Sequence, residues 1–234
     1  MSLLLQVLVT NSLYYFCIMI DIADLIQIAI ILAVSIGLHE YAHAYVSHIF
    51  GDPTPKLQGR LTPNPLKHID PIGFLMIFLV HFGWGKPVQI NPSYYKHPRR
   101  DELMVALAGP ATNLVLALSA VLILVLYSLA VGYNLSVLFG QSDIFVSFRL
   151  LFASINISLA VFNMLPLPPL DGFRLVKMFF WKQAKLIEQY SLYISLAFLF
   201  IIMGPGSGIF SFIIGGASEW ILRLFFAIFG QVLY

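Results

Sequence analysis

The pentad His39-Glu40-Tyr41-Ala42-His43 has the residue types and the spacing of a hydrolytic metal site. Residues i and i+4 lie on one face of a helix, so His39 and His43 can both direct an imidazole nitrogen toward one metal ion. Zinc with two histidines, one carboxylate and an open position for water is the hydrolytic arrangement. Glu40, beside the open position, is predicted to be the general base that takes a proton from water and passes it to the leaving amine.

A third ligand has to come from another part of the chain, and Asp171 is the candidate. It lies near the end of the run Asn163–Gly172 (NMLPLPPLDG), whose three prolines break a helix. Broken backbone at membrane depth is tolerated where it is buried in protein or lines a water-filled cavity, which would place this carboxylate beside water. The alternative is that Asp171 only caps the helix that follows. Because Cys17 is the single cysteine, histidines and carboxylates must hold any metal.

The composition indicates the solvent around these residues. Of the 234 residues, 59% are hydrophobic and 10% are charged, whereas soluble domains carry about 25% charged residues. This excludes a soluble globular domain and a disordered chain, and the net charge of +2 gives no reason to expect nucleic acid as a partner. The pentad could arise by chance, but ionisable groups at membrane depth need a compensating partner, which favours a metal ion.

The elements that must position these residues are membrane spans of about 20 apolar residues. The sequence predicts an all-α polytopic membrane protein with about six spans in a single domain, residues 1–234. The spans are Leu3–Ile20, Leu25–Phe50, Leu103–Ala130, Ile144–Leu165, Leu186–Met203 and Ile209–Phe229. The run Ile72–Gly85 is too short to cross and is predicted to be re-entrant or interfacial.

The positions of Lys and Arg predict the orientation of these spans, because basic residues gather on the cytoplasmic side. Seven of the 13 lie in Lys56–Arg100, four in Arg174–Lys185 and none in Val131–Ser142. Both basic stretches are cytoplasmic only if Ile72–Gly85 does not cross. Both termini are then expected in the cytoplasm, and the lack of a clear targeting signal favours a prokaryotic inner membrane.

Three motifs occur in a fixed order along the chain: HEYAH on a membrane helix, AGPATN at Ala108–Asn113, and NMLPLPPLDG. Together they resemble the site-2 protease family of intramembrane zinc metalloproteases, over roughly Leu25 to Lys185. The resemblance implies that the spans starting at Leu25, Leu103 and Ile144 form a three-helix catalytic core. It also implies a small membrane-associated β segment on the cytoplasmic side, at Phe82–Pro92. No PDZ or nucleotide-sensing module is expected, so the chain resembles the compact members of the family.

The same resemblance implies the roles of individual residues. One zinc ion per chain is expected, with ligands His39, His43 and Asp171 and with Glu40 as the catalytic base. The Asn113 amide is expected to contact substrate backbone or the developing oxyanion. Two further amides, at Asn163 and Asn156, share a helix face. Asn163 is expected either to contact substrate or to hold helices together, and Asn156 mainly to hold helices together.

The predicted function is that of a zinc endopeptidase that cuts within or near a transmembrane helix of another membrane protein. Its partners are then that substrate protein and the lipid bilayer. The sequence does not decide whether the chain also forms a homo-oligomer. A helical peptide bond must unwind before water can reach its carbonyl. The extended stretch Lys86–Asn91, with Val88 inside it, is predicted to pair with the unwound substrate as a strand edge.

Two other classes of function remain open from the sequence. A metal or ion transporter also places histidines and acids in the membrane, although it usually needs several weak sites along a path. A catalytically inactive relative that binds membrane helices is the second alternative, and the presence of Glu40 speaks against it.

Overall fold

The protein is described here by a computed structural model, which covers residues 22–80, 83–132, 143–204 and 206–230. Helices dominate these residues. In chain order they are α1 Ile22–Ile49, α2 Thr54–Leu57, α3 Pro71–Val80, α4 Pro98–Val131, α5 Ile144–Asn163, α6 Phe173–Phe179, α7 Trp181–Gln189, α8 Ser191–Met203 and α9 Ser207–Ile228.

Four of the described helices, α1, α4, α5 and α9, are long and apolar enough to cross a membrane. Their bounds lie within a few residues of four predicted spans, because the hydropathy of each run is set by the residues alone. The described residues therefore hold four candidate spans, or five if α7 and α8 are counted together. The predicted span Leu3–Ile20 lies outside the described residues.

The predicted span Leu186–Met203 is divided between two helices, α7 and α8, and stays a prediction. The chain bends by 77° between α7 and α8, on either side of Tyr190. The α7 sequence, WKQAKLIEQ, carries three charged residues in nine, and these cannot follow the apolar α8 into hydrocarbon without a large cost. The polar and the apolar parts of this stretch therefore take different directions.

Small and branched apolar residues pack three of the spans together. The hydrophobic core lies between α4, α5 and α9, and its buried members include Ala117, Leu124, Ala153, Ile157 and Phe226. Alanines at such contacts let helix backbones approach closely. The outward faces of the same helices expose large apolar side chains, for example Val115 and Phe212, as expected for surfaces that meet lipid.

The connection between α1 and α4 folds back on itself. Ile69 and Gly85 form an antiparallel bridge on either side of α3, and the Lys86 N–H donates to the His68 carbonyl, with N···O 2.8 Å. The chain thus leaves and returns at one place, and the re-entrant or interfacial position of Ile72–Gly85 stays a prediction. The predicted β segment contains no strand within the described residues. Lys86–Asn91, hereafter the 86–91 segment, bonds to side chains and loop backbone instead.

Candidate metal centre

His39 and His43 lie one helical turn apart on the buried face of α1. Their rings meet edge to face with centroids 4.6 Å apart, and the two Nε2 atoms are 3.0 Å apart. Both residues are less than 10% exposed. The i, i+4 spacing therefore directs both Nε2 atoms to one point, as the sequence predicts for two ligands of one metal ion.

The other ring nitrogens determine which protonation form each imidazole takes. His43 Nδ1 lies 2.6 Å from the backbone carbonyl oxygen of Val105, which can only accept a hydrogen bond. His39 Nδ1 lies 2.6 Å from Asn113 Oδ1. Both imidazoles therefore donate from Nδ1, and in their neutral forms both present an Nε2 lone pair to the point where the rings meet.

Asp171 reaches the same point from the connection between α5 and α6. Its Oδ2 atom lies 3.1 Å from His39 Nε2 and 3.2 Å from His43 Nε2. The α5 helix ends at Asn163, before the prolines, and the Gly172 N–H closes the turn by donating to the Asn163 carbonyl at 2.7 Å. Gly172, not Asp171, is the N-cap residue of α6, and no side chain caps that helix. The alternative prediction, that Asp171 only caps the helix that follows, does not agree with the structure.

These three side chains fit a zinc ion by their chemistry. One ligand atom from each of His39, His43 and Asp171 lies within 4.8 Å of the others, and with neutral rings all three atoms are acceptors. Ligand atoms held tetrahedrally around zinc, at zinc–ligand distances of about 2.0–2.1 Å, lie roughly 3.3 Å from one another. This is close to the 3.0–3.2 Å that separate the three atoms in the structure. Three converging acceptors repel one another unless a cation or a proton lies between them.

The backbone of α4 presses directly against this cluster at Gly109. A Cβ atom at this position would lie 2.5 Å from His39 Nε2 and 2.5 Å from His43 Nε2. Only glycine allows the helix to come this close. The next residue, Pro110, is accommodated inside α4, as proline often is in membrane helices. The glycine of the second motif is thus explained by packing against the two imidazoles.

Glu40 follows His39 on α1, and the 86–91 segment fixes its carboxylate. Glu40 Oε2 accepts a hydrogen bond from the Val88 N–H at 2.8 Å. The Val88 side chain is buried, while its neighbour Gln89 is exposed. The backbone donor of Val88 is thus engaged within the protein, so the predicted substrate contact at this residue has to use its carbonyl group or its neighbours.

A second carboxylate, Asp52, holds the far end of the 86–91 segment. Its oxygens accept from the Asn91 N–H at 2.7 Å, the Thr54 N–H at 2.9 Å and the Ser47 hydroxyl at 2.8 Å, and Ser47 also bonds the Tyr95 hydroxyl. Burial alone would raise the pKa of Asp52, but these hydrogen bonds outweigh it and hold the pKa of this carboxyl below its ordinary value. Asp52 is therefore an ionised anchor, and nothing in its spacing to the pentad indicates this in the sequence.

The three asparagines named from the sequence have different surroundings. Asn113 is fully buried and its amide is engaged with His39, Ser35 and Asn156, so it supports a histidine and has no amide hydrogen left for an oxyanion. Asn163 donates to the Leu159 carbonyl of its own helix at 2.9 Å, and the described contacts do not link it to the cluster. The network around Asn156 is described below.

Comparison with known proteins gives the class to which this fold and site belong. The family model described as "Peptidase family M50" matches residues 27–142 and 135–202 of the chain. The chain belongs to this family, the site-2 protease family, as its three motifs indicate. The family and the described apolar helices support a membrane metalloprotease.

Individual relatives agree with this assignment. YwhC of Bacillus subtilis, named provisionally as a zinc metalloprotease, is 39% identical over 209 residues, which cover 88% of this chain and 94% of YwhC. Rip2 of Mycolicibacterium smegmatis, named in the same way, is 34% identical over 145 residues, 59% of this chain and 51% of Rip2. Rip2 of Mycobacterium tuberculosis is 34% identical over 146 residues. The chain thus matches about half the length of the Rip2 proteins. No solved structure gives a significant match.

Proposed function

We propose that this protein is an intramembrane zinc endopeptidase that hydrolyses peptide bonds within or near the transmembrane helices of other membrane proteins. The observation that carries the proposal is the convergence of acceptor atoms from His39, His43 and Asp171 between helices whose outer faces are apolar. Glu40 lies beside that cluster on the same helix. Membership of the metalloprotease family agrees with this reading.

Zinc held by the three side chains would polarise the scissile carbonyl and lower the pKa of the attacking water. The chain's own contribution to proton transfer is Glu40. Its Oε2 atom is held by the Val88 N–H, which leaves Oε1 to take the proton from water and to deliver it to the leaving amide nitrogen. Attack forms the new carbon–oxygen bond, and the carbon–nitrogen bond breaks as that nitrogen is protonated.

The substrate helix has to unwind locally, and the 86–91 segment offers replacement hydrogen bonds. Within the segment, the N–H groups of Lys86, Val88 and Asn91 already have partners in the protein. The backbone N–H and C=O of Gln89 have none among the described residues, and Gln89 is exposed. We therefore place the pairing with the unwound substrate at Gln89.

Two proline variants separate these roles, because proline removes a backbone donor. Gln89→Pro should raise KM for a transmembrane substrate and leave zinc binding unchanged. Val88→Pro should lower kcat instead, since it removes the donor that orients Glu40. Wild-type kinetics in Gln89→Pro would contradict pairing at this residue.

The central experiment measures zinc per chain in the full-length protein, purified in detergent, for the wild type and Asp171→Ala. About one zinc in the wild type and a marked loss in the variant are expected. Cleavage is then tested in liposomes with a panel of single-span transmembrane peptides and mass spectrometry of the products. Folded wild type that takes up no zinc would overturn the proposal, and so would equal zinc in Asp171→Ala.

We also propose that the protein lies in a prokaryotic inner membrane with its termini and the stretch Lys56–Arg100 on the cytoplasmic side, as the distribution of basic residues suggests. A fluorescent protein fused to the C-terminus should then fold and fluoresce, whereas an alkaline phosphatase fusion at the same place should be inactive. The opposite result would reverse the orientation.

A further inference from the structure

A closed network of buried polar side chains joins α1, α4 and α5 beside the candidate metal centre. Its members are Ser35, Asn113 and Asn156, and each is fully buried. Asn156 Nδ2 donates to the Phe152 carbonyl and to Ser35 Oγ, both at 2.9 Å. Asn113 Nδ2 donates to Asn156 Oδ1 at 2.9 Å and to the Ser35 carbonyl at 3.4 Å. Both hydrogens of each amide are therefore used.

The network has a fixed direction, because two of its ends are backbone carbonyls that can only accept. The Phe152 carbonyl requires the NH2 group of Asn156 on its side, so Asn156 presents its oxygen to Asn113. Asn113 must then place its NH2 group toward Asn156 and its oxygen toward His39. An Asn113 amide turned the other way would put its oxygen against two acceptors.

The direction of the Asn113 amide decides the tautomer of His39. With the amide oxygen 2.6 Å from His39 Nδ1, the ring carries its proton on Nδ1 and keeps the Nε2 lone pair for a ligand. The reversed amide would favour the proton on Nε2, in the space between His43 and Asp171. In a low-dielectric interior, two acceptors that face each other without a hydrogen cost much free energy. The network therefore strongly favours the His39 tautomer with its proton on Nδ1.

We propose that Asn156 is a positioning residue for the metal centre, which through Asn113 holds His39 in the tautomer that binds a metal ion. The side chain of Asn156 hydrogen-bonds Asn113, Ser35 and Phe152, so it acts on His39 through Asn113. The inference rests on the proposed zinc site and assigns Asn113 a supporting role in place of a substrate contact. Partners that orient a ligating histidine typically change metal affinity by roughly 10- to 100-fold when they are removed.

The test compares two substitutions of Asn156, only one of which keeps an oxygen that can accept a hydrogen bond from Asn113. Asn156→Leu removes the oxygen that orients Asn113, whereas Asn156→Asp keeps an acceptor at this place and loses the two donors. Both lose the bonds to Phe152 and Ser35, so both are expected to lower the melting temperature. Zinc affinity, measured by competition with a chelator in the full-length protein, should fall roughly 10- to 100-fold in Asn156→Leu and stay near wild type in Asn156→Asp.

Ser158→Ala is the matched control for a merely structural effect. Ser158 lies on the same helix, and its hydroxyl contacts Ser218 of α9 at 3.2 Å, away from His39. This variant should change thermal stability slightly and zinc affinity not at all. Equal zinc affinity in wild type and Asn156→Leu would overturn the proposal, and so would an equal loss in the Leu and Asp variants.

A double variant tests the same relay by rescue, and Asn156→Ala, which also removes the side-chain oxygen, takes the place of Asn156→Leu throughout if the leucine variant does not fold. Asn113→Asp presents an acceptor oxygen to His39 whichever way the carboxylate turns, so it no longer needs direction from Asn156. Combined with Asn156→Leu, it should restore zinc affinity relative to Asn156→Leu alone. No recovery would contradict the relay. Absence of zinc from the wild type, by contrast, would refute the proposed function itself and is a distinguishable result.

Discussion

The candidate site has two sides that are built in different ways. On the ligand side, the two histidines are held by buried contacts from one membrane helix to another: Asn113 and the Val105 carbonyl orient the imidazoles, and the Gly109 backbone lies against both. The third ligand, Asp171, comes from the closed turn that follows α5. The base side is held by a loop. Glu40 is half-buried, and one backbone N–H of the 86–91 segment orients its carboxylate.

This difference matches the demands of each task. A metal ion needs its ligands fixed within a fraction of an ångström, which buried helices can provide. A general base has to serve two positions in turn, first the water and then the leaving nitrogen, so a support with some freedom suits it. The segment that orients Glu40 also carries the proposed pairing residue Gln89. Substrate binding can therefore change the orientation of the Glu40 carboxylate without displacing the metal ligands.

The largest effect is expected from Glu40→Gln, which should abolish the function of the base side and leave the ligand side unchanged. Glu40→Gln removes the proton acceptor but keeps the size of the side chain and its bond from Val88, so cleavage should fall by about 10²- to 10⁴-fold while zinc per chain stays at the wild-type level. Cleavage of a transmembrane peptide and metal analysis on the same sample measure both. A loss of zinc in this variant would mean that the two sides are not independent.

Gly109→Ala should damage the ligand side instead. The new methyl group would meet both Nε2 atoms at 2.5 Å and cannot move away, since it is attached to the α4 backbone. A displacement of ligands by even 1 Å is expected to cost about 100-fold in activity, together with a measurable loss of zinc affinity. Gly216→Ala on α9 is the matched control, because a Cβ there meets nothing within 4 Å. Zinc affinity equal to wild type in Gly109→Ala would show that α4 can shift.

Much of the ligand side could be predicted from the sequence, because the patterns that indicate it lie within short stretches of the chain. The i, i+4 histidines, the prolines before Asp171 and the apolar runs of α1, α4, α5 and α9 are patterns along the chain. The ends of these helices follow within a few residues. The exception is the bend at Tyr190, where a polar stretch and an apolar one follow each other without any proline or glycine between them.

The supports could not be predicted, because they depend on which helix faces which. Nothing in the sequence links Asn156 with Ser35, 121 positions earlier, or Asp52 with the Asn91 N–H. A backbone donor such as that of Val88 has no signature at all. A buried polar residue in a span indicates that a partner exists, but only the packed structure identifies the partner.

A smaller effect is expected on the base side from Asp52→Asn. The neutral side chain accepts weaker hydrogen bonds from Asn91 and Ser47, a loss of about 1–2 kcal/mol, so cleavage should fall by roughly tenfold with unchanged zinc. Asp143→Asn is the control. Asp143 also accepts backbone N–H groups, at the start of α5, so it should lose stability without losing cleavage. Unchanged cleavage in Asp52→Asn would mean that the 86–91 segment holds Glu40 without this anchor.

The pH dependence of stability gives the same anchor a second test. The pKa of Asp52 is lower in the folded protein than in the unfolded chain, so its contribution to stability is complete above the ordinary carboxyl value and declines as the pH falls through the folded value. The difference in melting temperature between wild type and Asp52→Asn should therefore be constant from about pH 7 to pH 5 and shrink below about pH 4. A difference that grows on acidification would contradict an ionised Asp52.

The smallest effect is expected from Lys177→Met, which removes surface ion pairs near the third ligand. Lys177 Nζ lies 2.8 Å from Glu188 and 3.4 Å from Glu102, and the side chains are partly exposed, so the loss of stability should stay below about 1 kcal/mol. Zinc affinity should not change, because the turn that presents Asp171 is closed by the Gly172 N–H. Gly172→Ala makes the contrast, since its Cβ would clash with the Met164 carbonyl oxygen and displace that turn. If Lys177→Met lost zinc and Gly172→Ala did not, Asp171 would be oriented through α6 rather than by the backbone turn, and the ligand side would depend on the surface after all.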